Sequence, residues 1–494
     1  MSDLAHNLYS PAQVGAMDAY AIGTLGIDGY KLMERAGAAA YRLLRERWPQ
    51  AGAIAVVCGL GNNAGDGYVV ARLALRDGLA ARVLQLGEMA RLRGDARRAA
   101  DDYLAAGGRL EPFDAQALSE ADVLVDAIFG TGLDRPIEGA WAQAVNAVNA
   151  AGRPVLALDI PSGLDGATGR VLGCAVRAEL TVTFLAYKAG LFTGAGPALV
   201  GELHLDDLGL PAAVPAREQP MARLLAPPAL PRRARDAHKG WFGHVLVIGG
   251  NHGMGGAARM AAEAAARVGA GLVSVATRAE HVTAMLAARP ELMCRGVDGP
   301  ADLEPLLARA TVLAIGPGLG RDDWARALFE RALAFPGPLV VDADGLQLLA
   351  EAPRRRRDWV LTPHPGEAAR LLGIASAQVQ DDRYGAVRAL LDRYDGVAVL
   401  KGAGTLVADR DGVPGVCTYG NPGMASGGMG DVLTGVIAGL LAQGLAPAEA
   451  AATSKPAVVM TASHFLCILM VSLRSFHEVL QLQLHPYRRS FPPR

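Results

Sequence analysis

Residues 53–67 read AIAVVCGLGNNAGDG, and residues 244–256 read HVLVIGGNHGMGG. In each stretch an apolar run of strand length ends in a glycine-rich turn, which is typical of a strand followed by a helix in a parallel sheet. Outward from these stretches, apolar runs alternate with Ala- and Leu-rich segments through most of the chain. The sequence therefore predicts two α/β domains, with further strands at 80–86, 123–128, 155–158, 180–184, 272–276, 312–315, 339–341, 359–361 and 397–400.

The alternation of strands and helices breaks down between residues 209 and 236, where six prolines stand close to Arg232, Arg233 and Arg235. Proline lacks a backbone N–H and fixes φ, so this segment fits neither a helix nor a sheet interior. We predict a first domain over residues 1–210, a linker over 211–235, a second domain over 236–452 and an atypical tail over 453–494. The tail contains no glycine. A membrane anchor is the alternative interpretation of its uncharged run 456–473, but Thr, Ser and His residues interrupt that run.

Composition excludes several classes of protein. Lys and Arg number 48 against 49 Asp and Glu, and the net charge of −1 disfavours binding to nucleic acid or to an anionic membrane. The five cysteines form no C-x-x-C pair and indicate a reducing, cytoplasmic setting, and we expect no signal peptide. Glycine is unusually frequent. It accounts for 60 of the 494 residues, whereas a typical protein contains ~7% glycine.

The glycine-rich turn of the first domain carries Asn62, Asn63 and Asp66 ahead of a helix that we expect to begin near Tyr68. Glycines there let backbone N–H groups approach an anion. The spacing is not the G-x-G-x-x-G of standard dinucleotide-binding proteins. A simple turn in which Asn and Asp cap the helix is the alternative.

Polar residues also follow two later strands of the first domain, with Asp126 after one and Asp159 and Ser162 after the next. The carboxyl ends of parallel strands line the crevice where ligands bind. Asn63, Asp126 and Ser162 could therefore converge on a monovalent or divalent cation, with Asp159 near a substrate. Taken singly, each carboxylate could equally be a helix cap.

The second domain offers a lysine and a glycine-rich helix start. Lys401 opens the turn 401–405 after a predicted strand, and this arrangement suits a phosphate. Residues 427–431, GGMGD, precede an apolar helix predicted over 432–441. Backbone amides there could stabilise a transferring phosphoryl group, and Asp431 could accept a proton from the attacking hydroxyl. Stabilisation of the helix dipole by Asp431 is the alternative. No P-loop, G-x-S-x-G or H-E-x-x-H motif is present.

These motifs, in this order, resemble those of the bifunctional nicotinamide-nucleotide repair enzymes. In that family an NAD(P)H-hydrate epimerase is joined to an ADP-dependent NAD(P)H-hydrate dehydratase. The resemblance spans roughly Tyr9 to Ala450 and rests on a series of separated motifs, at 61–67, 159–165, 238–240, 249–256, 362–367, 401–405 and 421–431.

For the first domain the resemblance implies a Rossmann-like α/β/α sandwich, an isomerase that interconverts the R and S forms of hydrated NADH or NADPH at C6. It implies a potassium ion on Asn63, Asp126 and Ser162. The chemistry needs a proton acceptor and donor near C6, for which we predict Asp159 as the catalytic residue, with Lys188, which follows a strand at the same predicted edge, as a second candidate. Ala64 stands where the family more often has glycine. The implied hydrate-binding residues are Asn62, Asn63, Ala64, Gly65, Asp66, Gly130, Thr131, Gly132, Leu133, Asp134, Arg135, Pro136 and Asp159.

For the second domain the resemblance implies a ribokinase-like α/β fold with lyase activity. ADP would phosphorylate the C6 hydroxyl of the S hydrate with Asp431 as catalytic base and Mg²⁺ on the phosphates, and loss of phosphate would leave NAD(P)H and AMP. The implied ADP-binding residues are Lys401, Gly402, Ala403, Gly404, Thr405 and Gly430, and the implied hydrate-binding residues are Ala257, Gly320, His364 and Asp431.

The resemblance thus implies a cytoplasmic metabolite-repair enzyme with NADHX, NADPHX and ADP as small-molecule partners, without nucleic acid or membrane, and we expect a homo-oligomer. One alternative is a ribokinase-like vitamin or sugar kinase fused to a Rossmann-like binding domain. A non-catalytic scaffold is a second, which the joint presence of Asp159, Lys401 and Asp431 disfavours.

Overall fold

Short buried strands and amphipathic helices alternate through two compact units that meet between Ala222 and Arg223. The computed structural model describes residues 6–226, 230 and 232–454. The boundary falls within the predicted linker 211–235. The first unit has strands β1 (Asn7–Tyr9), β2 (Ala53–Cys58), β3 (Ala80–Gln85), β4 (Leu110–Pro112), β5 (Val123–Ala127), β6 (Val155–Leu158), β7 (Leu180–Phe184), β8 (Tyr187–Lys188) and β9 (Glu202–Asp206). Its helices are α1 (Pro11–Gly23), α2 (Gly29–Arg47), α3 (Asn62–Arg76), α4 (Gly94–Ala105), α5 (Gly139–Ala150) and α6 (Gly196–Leu199).

Seven strands of the first unit form a parallel sheet in the order β4-β3-β2-β5-β6-β7-β9. Counted from β2, this is the doubly wound order 3-2-1-4-5-6 with β9 added, which confirms the predicted Rossmann-like fold class. The chain reverses its winding direction between β2 and β5. In such sheets ligands bind outside the strand ends at this switch point.

Helix α3 begins earlier than the sequence predicted. We expected a helix from about Tyr68, but α3 starts at Asn62, so the glycine-rich motif forms its first two turns. The reason is close packing, because an added Cβ on Gly67 would lie 2.6 Å from the Cβ of Ala127 on β5. Gly65 likewise lies against Met33 of α2. These glycines bring α3 close to the sheet and to α2 rather than forming an open loop.

The second unit contains most of strand β10 (Ala222–Leu224) and all of the elements that follow. Its strands are β11 (His244–Ile248), β12 (Leu272–Thr277), β13 (Met293–Gly296), β14 (Val312–Ile315), β15 (Leu339–Val341), β16 (Trp359–Leu361), β17 (Val397–Leu400), β18 (Thr405–Ala408) and β19 (Gly415–Cys417). Its helices are α7 (Gly255–Val268), α8 (Ala279–Ala288), α9 (Pro300–Leu307), α10 (Asp323–Leu333), α11 (Ala343–Glu351), α12 (Pro365–Leu372), α13 (Ser376–Asp381), α14 (Arg383–Tyr394) and α15 (Met429–Ala442), and residues 447–454 are also helical.

The sheet of the second unit is parallel in the order β13-β12-β11-β14-β15-β16-β17, with its switch point between β11 and β14. The structure then departs from the predicted parallel sheet, because β18 and β19 pair antiparallel. The connections at 401–404 and 409–414 are too short for a parallel crossover, which needs a dozen or more residues. The turn 401–404 is therefore a hairpin turn held at both ends.

No helix in the described part of the chain is long and apolar enough to cross a membrane. Residues 455–494 lie outside the described residues. They hold the uncharged run 456–473 and almost all of the predicted tail.

We expect Gly67→Ala to destabilise the first unit, because the new methyl group would lie 2.6 Å from Ala127 Cβ and 3.1 Å from Cys58 Sγ. Overpacking of this kind costs about 1–3 kcal/mol in the free energy of unfolding. Gly15→Ala is the control, since a Cβ at Gly15 meets no atom within 4 Å and α1 should gain about 0.5–1 kcal/mol. Thermal unfolding of both variants measures the difference, and equal Tm values would contradict the packing role of Gly67.

Candidate functional site

A cavity of about 880 Å³ opens at the switch point of the first unit. It is lined by the residues that follow β2, β5, β6 and β7 and by one face each of α1 and α2. Three of the residues predicted to bind the hydrate do not line this cavity, namely Ala64, Gly65 and Asp134. The predicted residues that line it are Asn62, Asn63, Asp66, Gly130, Thr131, Gly132, Leu133, Arg135, Pro136, Asp159 and Lys188.

Lys188 and Asp159 form a buried ion pair at one wall of this cavity. The Lys188 side chain is 1% exposed, and its Nζ donates to Asp159 Oδ1 at 2.5 Å. The same Nζ donates to the carbonyl oxygen of Phe184 at 2.7 Å and to Thr183 Oγ1 at 3.0 Å. An ammonium group has three protons, and these acceptors take all of them. Lys188 therefore orients Asp159, and the geometry leaves Lys188 no proton for a substrate.

The backbone at Asp159 is strained. Its φ of 65° lies in the left-handed region, which costs a non-glycine residue about 1–3 kcal/mol and is typical of functional sites. The Asp159 N–H donates to the carbonyl oxygen of Val182 at 2.7 Å and holds the turn. A Cβ on Gly130 would lie 3.4 Å from Asp159 Oδ2. The bare glycine thus leaves this second carboxylate oxygen open to the cavity.

Four further carboxyl groups line the cavity, and two of them, those of Asp66 on α3 and Asp18 on α1, face the Lys188–Asp159 pair. Neither has a side-chain hydrogen bond or ion pair within the described residues. Burial raises the pKa of Asp66 well above its usual value, and the negative charge of Asp159 raises it further. Burial also raises the pKa of Asp18, which Lys188 lowers in part and Asp159 raises. The cavity therefore combines a carboxyl group paired with Lys188 and two carboxyl groups that hold protons more tightly than usual.

Asp126 and Ser162 form a second buried pair in the first unit. Ser162 Oγ donates to Asp126 Oδ1 at 2.6 Å, and the Ser162 N–H donates to Asp126 Oδ2 at 2.8 Å. Burial raises the pKa of Asp126 to about 6, against the opposing effect of these hydrogen bonds. The N–H of Phe129, next to Gly130, donates to Ser162 Oγ at 2.8 Å. The pair thus anchors the loop that borders the cavity.

Asn63 lies beside the same loop, since a Cβ on Gly130 would be 3.3 Å from Asn63 Cβ. The Asn63 side chain is buried, yet neither its amide oxygen nor its amide nitrogen has a partner within the described residues. Asn63 and the Asp126–Ser162 pair thus border the same loop at residues 129–130, and an orphaned buried amide oxygen there fits a hard cation. Clusters of three or more His, Cys, Asp or Glu with metal-binding geometry are absent from the described ranges.

The second unit also centres on a buried lysine. Lys401 Nζ lies 2.8 Å from Asp342 Oδ1 and 3.6 Å from Glu367 Oε2. Burial alone would lower the pKa of Lys401, but these two carboxylates raise it above its usual value. Thr434 Oγ1 donates to Asp342 Oδ2 at 2.8 Å. Burial opposes ionisation of Asp342, yet Lys401 and these hydrogen bonds bring its pKa below the usual value.

Asp431 and Gly430 stand beside this pair. Helix α15 begins at Met429 rather than near the predicted residue 432, so both residues lie in its first turn. A Cβ on Gly430 would lie 3.4 Å from Asp342 Oδ2 and 3.5 Å from Lys401 Nζ. Burial and the charge of Asp342 raise the pKa of Asp431 to about 6, although Lys401 opposes this. A carboxyl with such a pKa can exchange a proton near neutral pH.

The turn 401–404 is held from two sides. The Lys401 N–H donates to the carbonyl oxygen of Pro363 at 2.9 Å, and Thr405 Oγ1 donates to that of Gly402 at 2.9 Å. Arg383, 1% exposed, donates to the carbonyl oxygens of Leu400 and Lys401 at 3.1 and 3.2 Å. The predicted phosphate-binding turn is therefore fixed in place.

The remaining predicted residues of the second unit follow other strands of its sheet. Gly320 and His364 lie on turns, and Ala257 lies in a helix. His364 Nδ1 accepts from the N–H groups of Gly366 and Glu367, and its Nε2 lies 3.5 Å from Glu367 Oε1. The Gly320 N–H donates to Asp344 Oδ2 at 2.8 Å, and Asp344 in turn raises the pKa of Asp431. Ala257 lies in the first turn of α7.

Sequence reasoning assigned no role to Asp18, Asp342, Glu367 or Thr434. Asp342 and Glu367 stood inside motifs that follow predicted strands, and that position was the available signal. Thr434 lies one turn into α15, where its buried hydroxyl meets Asp342. Asp18 stands on a helix far from any motif, and no pattern in the sequence distinguishes it.

Comparison with known proteins extends this picture. A family model described as YjeF-related protein N-terminus matches residues 29–190, and one described as NAD(P)H-hydrate dehydratase matches residues 245–467. A protein of Coxiella burnetii named bifunctional NAD(P)H-hydrate repair enzyme Nnr is 52% identical over 448 residues, which cover 90% of this chain and 92% of that protein. The chain belongs to the family of bifunctional NAD(P)H-hydrate repair enzymes.

Other members of the repair-enzyme family match to a similar extent. The protein of that name from Escherichia coli is 43% identical over 451 residues, which cover 91% of this chain and 87% of its own. Among solved structures, a ribokinase-like superfamily protein of Enterococcus faecalis is 33% identical, covers 48% of this chain and 84% of its own, and has a TM-score of 0.45. The family predicted from the sequence is confirmed. The dehydratase match extends beyond residue 452, where we predicted the second domain to end.

We expect Asp342→Asn to lower the free energy of unfolding of the second unit by about 3 kcal/mol, because it leaves the Lys401 ammonium buried without its main counter-charge. Glu304→Gln is the control, since it removes a half-exposed ion pair with Arg331 and should cost at most about 1 kcal/mol. Urea unfolding near neutral pH measures both. A cost for Asp342→Asn no greater than that of the control would contradict the importance of the pair.

Proposed function

We propose that the first unit epimerises NAD(P)H hydrate and that the second unit dehydrates its S form with ADP, so that the chain repairs damaged nicotinamide nucleotides. The observation that carries the proposal is common to both units. In each, a carboxyl group suited to proton exchange stands beside a buried Lys–Asp pair at the ends of parallel strands. The names of the relatives supply the substrate, a hydrated NADH or NADPH.

In the first unit, Asp159 exchanges the proton of the C6 hydroxyl. Its Oδ1 is occupied by Lys188, and its Oδ2 faces the cavity beside Gly130. The loop 130–136 and the start of α3 surround the hydrate, and Ala64, which does not line the cavity, is buried within the first turn of α3. Lys188 acts as a positioning residue rather than as an acid.

Asn63, Asp126 and Ser162 would hold the potassium ion. The orphaned amide oxygen of Asn63 supports this assignment, because a cation would satisfy it. When bound, K⁺ supplies a positive charge next to the loop that borders the cavity. The residues themselves keep that loop in place through the hydrogen bond from the Phe129 N–H to Ser162 Oγ.

Ser162→Ala should raise the K⁺ concentration needed for half-maximal epimerisation by at least about tenfold, because it removes one oxygen ligand. Titration with KCl at an ionic strength held constant with choline chloride measures this concentration. Ser119→Ala, which removes an exposed hydroxyl, is the control. If the wild-type rate is the same with and without K⁺, the potassium site is wrong.

In the second unit, Asp431 takes the proton of the C6 hydroxyl while the hydroxyl oxygen attacks the β-phosphorus of ADP and AMP leaves. Lys401 keeps protons available for the phosphates, since Asp342 is the one acceptor within hydrogen-bond distance of Nζ in the described residues. The amide of Gly430 at the start of α15 favours negative charge on the transferring group. The phosphate then departs with its bonding electrons as the lone pair of ring N1 forms a double bond to C6, and release of a proton from C5 to solvent restores the dihydronicotinamide ring.

ADP would lie along Lys401, Gly402, Ala403, Gly404 and Thr405, and the hydrate against Ala257, Gly320 and His364. Mg²⁺ would enter with ADP and neutralise its phosphate oxygens, so the second unit needs no cage of carboxylates for it. We further propose that the enzyme is a cytoplasmic homo-oligomer.

Asp431→Asn should lower kcat of dehydration by about 10²–10⁴-fold with little change in KM, because it removes the base. Since the base must be ionised and its pKa is about 6, the wild-type rate should rise as pH increases through about 6 and then level off. Recovery of NADH absorbance from S hydrate, ADP and Mg²⁺ measures both effects.

Asp323→Asn is the matched control for a helix-dipole role, because Asp323 is an exposed carboxylate in the first turn of α10. Equal loss of activity in the two variants would contradict the role of Asp431 as base. Accumulation of a stable phosphorylated product instead of NADH would indicate a small-molecule kinase and overturn the dehydratase assignment.

A further inference from the structure

Helix α1 contributes a wall of the cavity in the first unit. Val14, Asp18 and Ile22 all line the cavity, and their spacing of four residues places them on one face of the helix. The carboxyl group of Asp18 therefore points the same way as two residues that border the substrate space. This helix precedes residues 29–190, the part of the chain that matches the family model of the first unit.

Helix α1 is fixed to the strand that carries Lys188. Strand β1 pairs in parallel with β8, and Tyr9 is the register partner of Lys188. Ser10 follows β1 at once and caps α1 through a capping box with Gln13. One residue therefore separates the strand paired with β8 from the helix that carries Asp18, and the position of Asp18 relative to Lys188 is set by the backbone.

The charges around Asp18 also distinguish it from the other carboxyls. Apart from burial, Lys188 has the largest effect on Asp18, and Asp159 has the next largest. For Asp66 the order is different, because Asp159 acts more strongly than Lys188. Asp18 is thus a carboxyl without a hydrogen-bond partner in the described ranges that faces the Lys188–Asp159 pair from a different element.

We propose that Asp18 is the second catalytic carboxyl of the epimerase site and donates a proton to ring N1 of the hydrate while Asp159 accepts the proton of the C6 hydroxyl. This inference rests on the proposed epimerase function. In this proposal C6 is inverted by opening of the bond between C6 and N1 and its closure on the other face. Two proton-exchanging groups are needed, because the hydroxyl and N1 are different atoms of the substrate.

The step balances without any other reactant. The hydroxyl proton passes to Asp159, the C6–O bond becomes a carbonyl, and the electron pair of the C6–N1 bond moves to N1, which takes the proton of Asp18. After rotation of the aldehyde, N1 attacks its other face, returns its proton to Asp18, and the oxygen takes back the proton held by Asp159. The raised pKa of Asp18 supports this role, since the donor must start protonated.

The other titratable groups that face Asp18 are Lys188, Asp159 and Asp66. Arg91, Asp95, Arg135 and Glu138 line the same cavity. Because the donor must be protonated, epimerisation should fall as pH rises through the pKa of Asp18. That alkaline decline is the signature that a merely structural residue would not produce.

The test follows the conversion of R to S hydrate in the full-length enzyme without ADP. Asp18→Asn should lower kcat by about 10²–10⁴-fold, leave KM within about threefold and abolish the alkaline decline. Asp18→Glu should restore part of the rate, and formate should partly rescue Asp18→Ala. Ala19→Asn, which puts the same amide on an exposed position of the same helix, should behave like the wild type.

A kcat for Asp18→Asn within threefold of the wild type, or an alkaline decline that persists in it, would overturn the inference. Loss of that decline in Asp66→Asn alone would assign the donor to Asp66 and overturn it equally. Dehydration of S hydrate with ADP checks that each variant remains folded. If the wild type itself does not accelerate epimerisation, the proposed function of the first unit fails, which is a different result from failure of Asp18.

Discussion

Parallel pairing of short buried strands is the constraint on which both units depend. Because every parallel strand ends at the same edge of its sheet, residues far apart in the chain meet there without any contact between their helices. Asp159 reaches Lys188 in this way in the first unit, as Asp342 reaches Lys401 in the second. The high glycine content serves the same architecture, since Gly67 lets α3 approach β5 closely.

The two buried lysines illustrate how one type of ion pair serves two purposes. Removing a charge from water is costly, and each lysine is compensated by carboxylates and oxygen acceptors. Lys188 donates all three of its ammonium protons to fixed acceptors, and it thereby orients the carboxylate of Asp159. Lys401 stands between Asp342 and Glu367 at the head of a rigid turn, where protons remain for an incoming anion. Hydrogen-bond saturation, rather than burial, distinguishes Lys188 from Lys401.

Local sequence signals predicted much of the fold and the strand-end residues of both sites. Each predicted strand is present, because a buried parallel strand needs an apolar run that the sequence displays directly. Short strands such as β13 and β19 were missed because they lack that run. The predicted start of α3 near Tyr68 was wrong. Glycines usually end helices, whereas Gly65 and Gly67 lie inside α3 and permit its close packing. The position of Asp18 at the cavity could not be predicted from the sequence, because only the tertiary structure brings α1 to the cavity.

The pairing of β1 with β8 has a consequence for how the first unit forms. Leu8 and Tyr9 precede nearly all of that unit in the chain, and their partners Tyr187 and Lys188 follow nearly all of it. Contacts between residues so distant in sequence form late, because the intervening chain must be ordered first. During synthesis, β1 cannot pair until β8 has been made, after six of the seven strands of the main sheet. The wall of the cavity formed by α1 is therefore among the last parts of the first unit to assemble.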